Sequence, residues 1–87
     1  MTVILIYDIS SNNTEKFRKL CGQYLYWVQF SVFEGEITKS KLIELENRLK
    51  NIINKNMDSI IIYEINNSKW LKKNVLGINK NELNSII

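Results

Sequence analysis

VILIYDIS, residues 3–10, sets Val3, Ile4, Leu5, Ile6, Tyr7 and Ile9 around a single carboxylate, Asp8. With Thr2 in front, the stretch is too rich in β-branched residues for a helix and too poor in polar ones for a half-exposed strand. It reads as a strand buried on both faces. Val3, Leu5 and Tyr7 point one way, and Ile4, Ile6 and Asp8 point the other. That double burial decides the fold. Helices on one face of a sheet leave its second face to be covered by something else.

Working outward, SSNN (residues 10–13) breaks the strand, and Asn12 with Glu15 resembles a capping box. Phe17, Leu20, Cys21 and Tyr24 then predict a helix from about Thr14 to Leu25, with Gly22 inside it. YWVQFSVFEGEI (26–37) alternates, with Val28, Phe30 and Val32 on one side and Trp27, Gln29, Ser31 and Phe33 on the other. Gly35 suggests a bulge or bend, so the run reads as one strand or two short ones. Thr38 is an N-cap for a second helix, whose stripe is Leu42, Leu45, Leu49, Ile52 and Ile53. DSIIIYEI (58–65) is a strand apolar on both faces, followed by a turn at Asn66 and Asn67. WLKKNVLGI (70–78) holds a short last strand.

This order predicts an α+β, ferredoxin-like βαββαβ antiparallel sheet with two helices on one face. It spans residues 1–78 as one domain, with a polar tail over 79–87. The economical cover for the second face is another copy of the same sheet, which makes a homodimer.

The chain of 87 residues carries 12 Lys and Arg against 9 Asp and Glu, a net charge of +3 that permits a polyanionic partner. It has no histidine, which removes imidazole bases, Ser-His-Asp and Cys-His catalysis and most zinc sites. A lone cysteine, Cys21, forms no intrachain disulfide and fits a reducing compartment. No basic leader precedes the first apolar run, and no run is long enough to cross a bilayer. The expected location is therefore the cytoplasm, with no membrane partner.

Asp8 carries two readings. An aspartate after a strand caps turns and helices. On a face that meets a second copy, two Asp8 carboxylates instead lie near the two-fold axis and cannot both stay ionised cheaply. Mg²⁺ or another divalent cation between them resolves the conflict, since Mg²⁺ takes one or two carboxylates and keeps several waters for phosphodiester chemistry. Tyr7, Ser31 and Phe33 are supporting candidates, Ser31 as a phosphate contact or as a small polar filler. Glu34 and Glu36 share a strand face, as solvated charges or as a second metal site. Lys16, Arg18 and Lys19 on the first helix are the nucleic-acid-binding candidates, opposed only by Glu15.

VILIYDIS, VQFSVFEGEI and DSIIIYEI together resemble the CRISPR-associated protein 2 family, the small subunit of the CRISPR adaptation module. The match in order and spacing runs over roughly residues 2 to 65. The resemblance implies a face-to-face homodimer whose C-terminal strand, here KKNVLG, joins the partner's sheet. It implies that Asp8 is the catalytic, metal-binding aspartate of a metal-dependent endonuclease acting on RNA or double-stranded DNA. It also implies a spacer-acquisition role, in which the dimer supports duplex pre-spacer DNA and bridges the CRISPR integrase, with its own nuclease activity dispensable. Two positions depart from the family: Trp27 stands where an Arg is usual, and Thr14 and Glu15 stand near Lys16 where basic residues often begin the helix. The alternative of another class is a ribonuclease toxin of similar fold.

Overall fold

The computed structural model describes residues 1–67 and 70–78. In chain order the elements are β1 (Thr2–Asp8), α1 (Thr14–Cys21), β2 (Tyr26–Gln29), β3 (Val32–Glu36), α2 (Lys39–Lys50), β4 (Ser59–Asn67) and β5 (Trp70–Gly77). The strands make one antiparallel sheet in the order β2-β3-β1-β4-β5. The most apolar strand, β1, lies at its centre, with Ile6 opposite Val32 on one side and Ile61 on the other. The tail proposed over 79–87 lies outside the described residues.

One face of the sheet carries the core. Val3, Leu5, Tyr7, Phe33, Ile60 and Ile62 pack beneath Phe17, Leu20 and Cys21 of α1 and Leu42, Leu45 and Leu49 of α2. Tyr7, Phe17 and Phe33 form an aromatic trio, with Tyr7 and Phe17 centroids 4.6 Å apart and Tyr7 and Phe33 5.9 Å. The opposite face has no helix. Ile4, Val32, Ile61, Tyr63 and Ile65 are only half-buried there, and Ile6 is 37% exposed, against 0% for Val3 and Leu5 on the packed side.

Two polar groups are buried on the packed side and explain how the outer elements are held. Glu64 accepts from Lys39 Nζ at 2.9 Å and from Asn74 Nδ2 at 3.1 Å, joining the start of α2 and the middle of β5 to the sheet. Asp58, just before β4, accepts from the amides of Ser10, Ser11 and Asn54. Gly77, at φ 83°, closes β5 against the same residue: a Cβ there would fall 2.1 Å from the Asp58 carbonyl oxygen.

Several expectations are corrected. The first helix stops at Cys21, and Gly22 is its C-cap, not an interior residue. The chain turns there so that Leu25 can enter the core over Gly35, where a Cβ would sit 3.3 Å from Leu25 Cδ2. Gly35 is thus a point of close approach within β3 and makes no bend. The Asn12 capping box does not form: Asn13 is the N-cap, makes no side-chain cap bond, and donates instead to the Ile52 carbonyl at 2.8 Å. The second helix ends at Lys50, short of Ile52 and Ile53 in its expected stripe, while its Thr38 cap is as expected, accepting from the Lys41 amide at 3.2 Å.

The run 26–37 is two strands, broken at Phe30 and Ser31. A register shift between Trp27 and Gln29 sets Gln29 opposite Val32, so the simple alternation fails at Val28. Asn66 and Asn67 do not turn but continue β4, because β5 pairs along it as far as Asn67 and Trp70. That pairing lies within one chain, from Ser59–Gly77 upward, and sets β5 at the edge of its own sheet.

Candidate nucleic-acid and metal site

Asp8 is the last residue of β1, paired with Ser59, exposed, and on the helix-free face with Ile4 and Ile6. Ser10 and Ser11 N–H both go to Asp58 Oδ1 at 2.9 Å, and the Ser11 hydroxyl goes to Asp58 Oδ2 at 2.7 Å. Asp58 therefore ties down the loop that follows Asp8. Sequence reasoning missed it because its partners lie 47 and 48 positions away.

Tyr7 precedes Asp8 and points the other way, into the core. Its hydroxyl accepts from Arg18 Nε at 2.9 Å and donates to the Phe30 carbonyl at 3.3 Å. The Tyr7 amide donates to the Ser31 carbonyl at 3.0 Å, extending the β1–β3 ladder to the hairpin tip. Ser31 thereby serves the ladder through its backbone and is half-buried, and Phe33 is a core residue against Tyr7. The supporting candidates are brought together, but as a scaffold beneath the end of β1. Trp27, missed as a structural donor, gives its indole N–H to the same Phe30 carbonyl at 2.8 Å.

The three cations of α1 do not form one cluster. Lys16 and Lys19, three apart, lie on one helix face and line a groove with Leu20, Gln23, Arg48 and Asn51. Arg18 projects elsewhere, onto Tyr7, with its guanidinium 6.0 Å from the ring centroid. Arg48 joins the Lys16–Lys19 side from α2 and is held there by Gln23 Oε1 at 3.0 Å and the Tyr24 hydroxyl at 2.8 Å. It is a further candidate for phosphate contact, and only the packing of α1 on α2 reveals it.

Glu34 and Glu36 do share the helix-free face, opposite Ile4 and Thr2. They sit toward the far end of β1 from Asp8, and Glu36 accepts from the Thr2 hydroxyl, which lowers its pKa. They add no ligand to Asp8. Cys21 is buried, and burial pushes its thiol up to about 12, so it stays protonated and is no nucleophile. Among the described residues no three His, Cys, Asp or Glu side chains come together as a metal cluster. Asp8 thus offers one exposed carboxylate per chain, a donor of the type that hard cations take. No helix among the described residues is long and apolar enough to cross a membrane.

Comparison with known proteins matches this arrangement to one family. The family described as CRISPR associated protein Cas2 matches residues 1–73. The chain is 41% identical over 85 residues to the CRISPR-associated endoribonuclease Cas2 3 of Thermodesulfovibrio yellowstonii, covering 98% of this chain and 97% of that protein. It is 38% identical over 87 residues to the CRISPR-associated endoribonuclease Cas2 of Methanosarcina acetivorans, covering all of both. Among solved structures, a crystal structure of cas2 superposes with a TM-score of 0.73 at 41% identity, over 92% of this chain and 90% of that one. Streptococcus pyogenes Cas2 at pH 6.5 gives 0.70 at 32% identity, over 80% and 90%.

Proposed function

Because the chain belongs to the CRISPR-associated Cas2 family, we propose that it is a CRISPR adaptation subunit. It works as a homodimer that holds duplex DNA through phosphates and docks the CRISPR integrase. The observation that carries this reading is the helix-free sheet face, apolar from Ile4 to Ile65 and ending at Asp8. Such a face needs a partner, and a second copy supplies both the apolar cover and the second carboxylate. Family membership favours this reading over a free-standing ribonuclease toxin.

The paired Asp8 side chains would hold Mg²⁺ or another divalent cation. When bound, such an ion supplies positive charge against a phosphodiester and lowers the pKa of its waters. The chain's own part is positioning. The Tyr7–Arg18–Phe30 bonds fix the end of β1, and Asp58 fixes the loop after it, so that Asp8 is presented from a rigid strand end. The relatives' name, endoribonuclease, favours RNA as the substrate of this second, nucleolytic activity.

One spacer-acquisition assay tests the proposal, wild type against Asp8→Asn, with dimer formation and integrase docking checked in parallel. Acquisition should survive while Mg²⁺-dependent cleavage and stabilisation by Mg²⁺ disappear. A variant that folds, dimerises and docks but acquires nothing would overturn the scaffold role. A variant that cuts at the wild-type rate would remove Asp8 from the metal site.

A further inference from the structure

The tip of the β2–β3 hairpin is built against local preference. Phe30 has φ 44°, the left-handed region that glycine and asparagine occupy at little cost and bulky residues avoid. Its ring contributes nothing to the core, being 81% exposed. Its carbonyl is held from two sides, by Trp27 Nε1 at 2.8 Å and the Tyr7 hydroxyl at 3.3 Å, and Tyr7 is itself fixed by Arg18. Trp27 is also 60% exposed. A strained residue kept rigid by surrounding bonds, with its apolar group facing water, is the pattern found at ligand sites.

The surroundings indicate the ligand. Trp27 borders an open groove of about 550 Å³ that Arg18, Gly22, Leu25, Tyr26 and Phe33 complete. An indole face with a guanidinium at its rim complements a base with its phosphate. The tip also lies alongside the Tyr7–Asp8 end of β1, through the Tyr7 amide bond to Ser31.

We propose that Trp27 and Phe30 form a stacking platform for an unpaired nucleobase, placing a single-stranded segment beside the end of β1. The proposal rests on the reading that the protein acts on nucleic acid, and it deepens that reading by naming the strand state recognised. Bases inside a duplex cannot reach exposed rings, so the platform discriminates single strands from blunt duplex.

Binding of a fluorescent single-stranded oligonucleotide of about 12 nucleotides, and of a blunt duplex of equal length, tests this in Phe30→Asn and Phe30→Tyr. Asparagine suits the positive φ, so Phe30→Asn should melt no lower than wild type. It should nevertheless lose about 5- to 100-fold in affinity for the single strand. The salt slope should not change, because no charge is removed. Duplex affinity should stay the same, and Phe30→Tyr should bind as wild type. Unchanged single-strand affinity in Phe30→Asn, or an equal loss on duplex, would overturn the platform and leave the adaptation role standing. Wild-type protein that binds neither oligonucleotide would overturn both.

Discussion

At the scale of single residues, the chain's two aspartates stand in opposite surroundings. Asp8 is displayed at a strand end, while Asp58 is buried and accepts four hydrogen bonds, from Ser10, Ser11, the Ser11 hydroxyl and Asn54. Burial pushes the Asp58 carboxyl up, but those bonds, led by the Asn54 amide and the Ser11 hydroxyl, outweigh it and hold the pKa below its ordinary value. Folding lowers this pKa, so the stabilisation is complete above the ordinary carboxylate range. It is lost as pH falls through the folded value. Asp58→Ala strands three backbone amides and should cost about 3 kcal/mol or more in urea denaturation at neutral pH. The gap between mutant and wild type should narrow on acidification. A gap that widened toward low pH would contradict the assignment. None of this was legible from DSIIIYEI, where Asp58 is simply the polar residue before a strand.

Among the elements, legibility tracked how local the cause was. The strand β1 and the Thr38 cap of α2 follow from their own residues, and the structure places both there, although α2 stops at Lys50. The β2–β3 turn was missed because Phe30 and Ser31 are not a turn signal; the turn is held by Tyr7 from a distant strand and by Trp27. The α1 cations were read as one group because sequence spacing does not say what each face meets. Lys16 and Lys19 face the groove toward α2, whereas Arg18 bonds Tyr7. Each phosphate contact on a duplex contributes about 0.9 to the log–log salt slope. A dimer of Lys16→Ala/Lys19→Ala loses four cations, so the slope should flatten by about 2 to 4. Arg18→Ala should lower the melting temperature more than the double variant does, through the loosened Tyr7. A slope unchanged by the double variant would move the DNA path to Lys72 and Lys73 or along α2.

For the whole molecule, the uncovered sheet face is the dominant fact. It was readable from two strands apolar on both sides and only two helices to cover them. Light scattering at micromolar concentration should give twice the 10.3 kDa chain mass. Ile6→Asp, in the middle of that face, should give monomer or aggregate and abolish the dimer. A well-behaved monomer of the wild-type chain would remove the sheet-packing argument. The central place of β1 has a consequence in time as well as space. It is synthesised before both neighbours, and β4, which begins at Ser59, emerges about fifty residues later, a wait of several seconds at roughly 5–20 residues per second. Until then the most apolar strand has at least one bare edge and no second copy to cover it. A polypeptide cut short within α2 is therefore no half-built subunit, but a sticky fragment destined for aggregation or proteolysis.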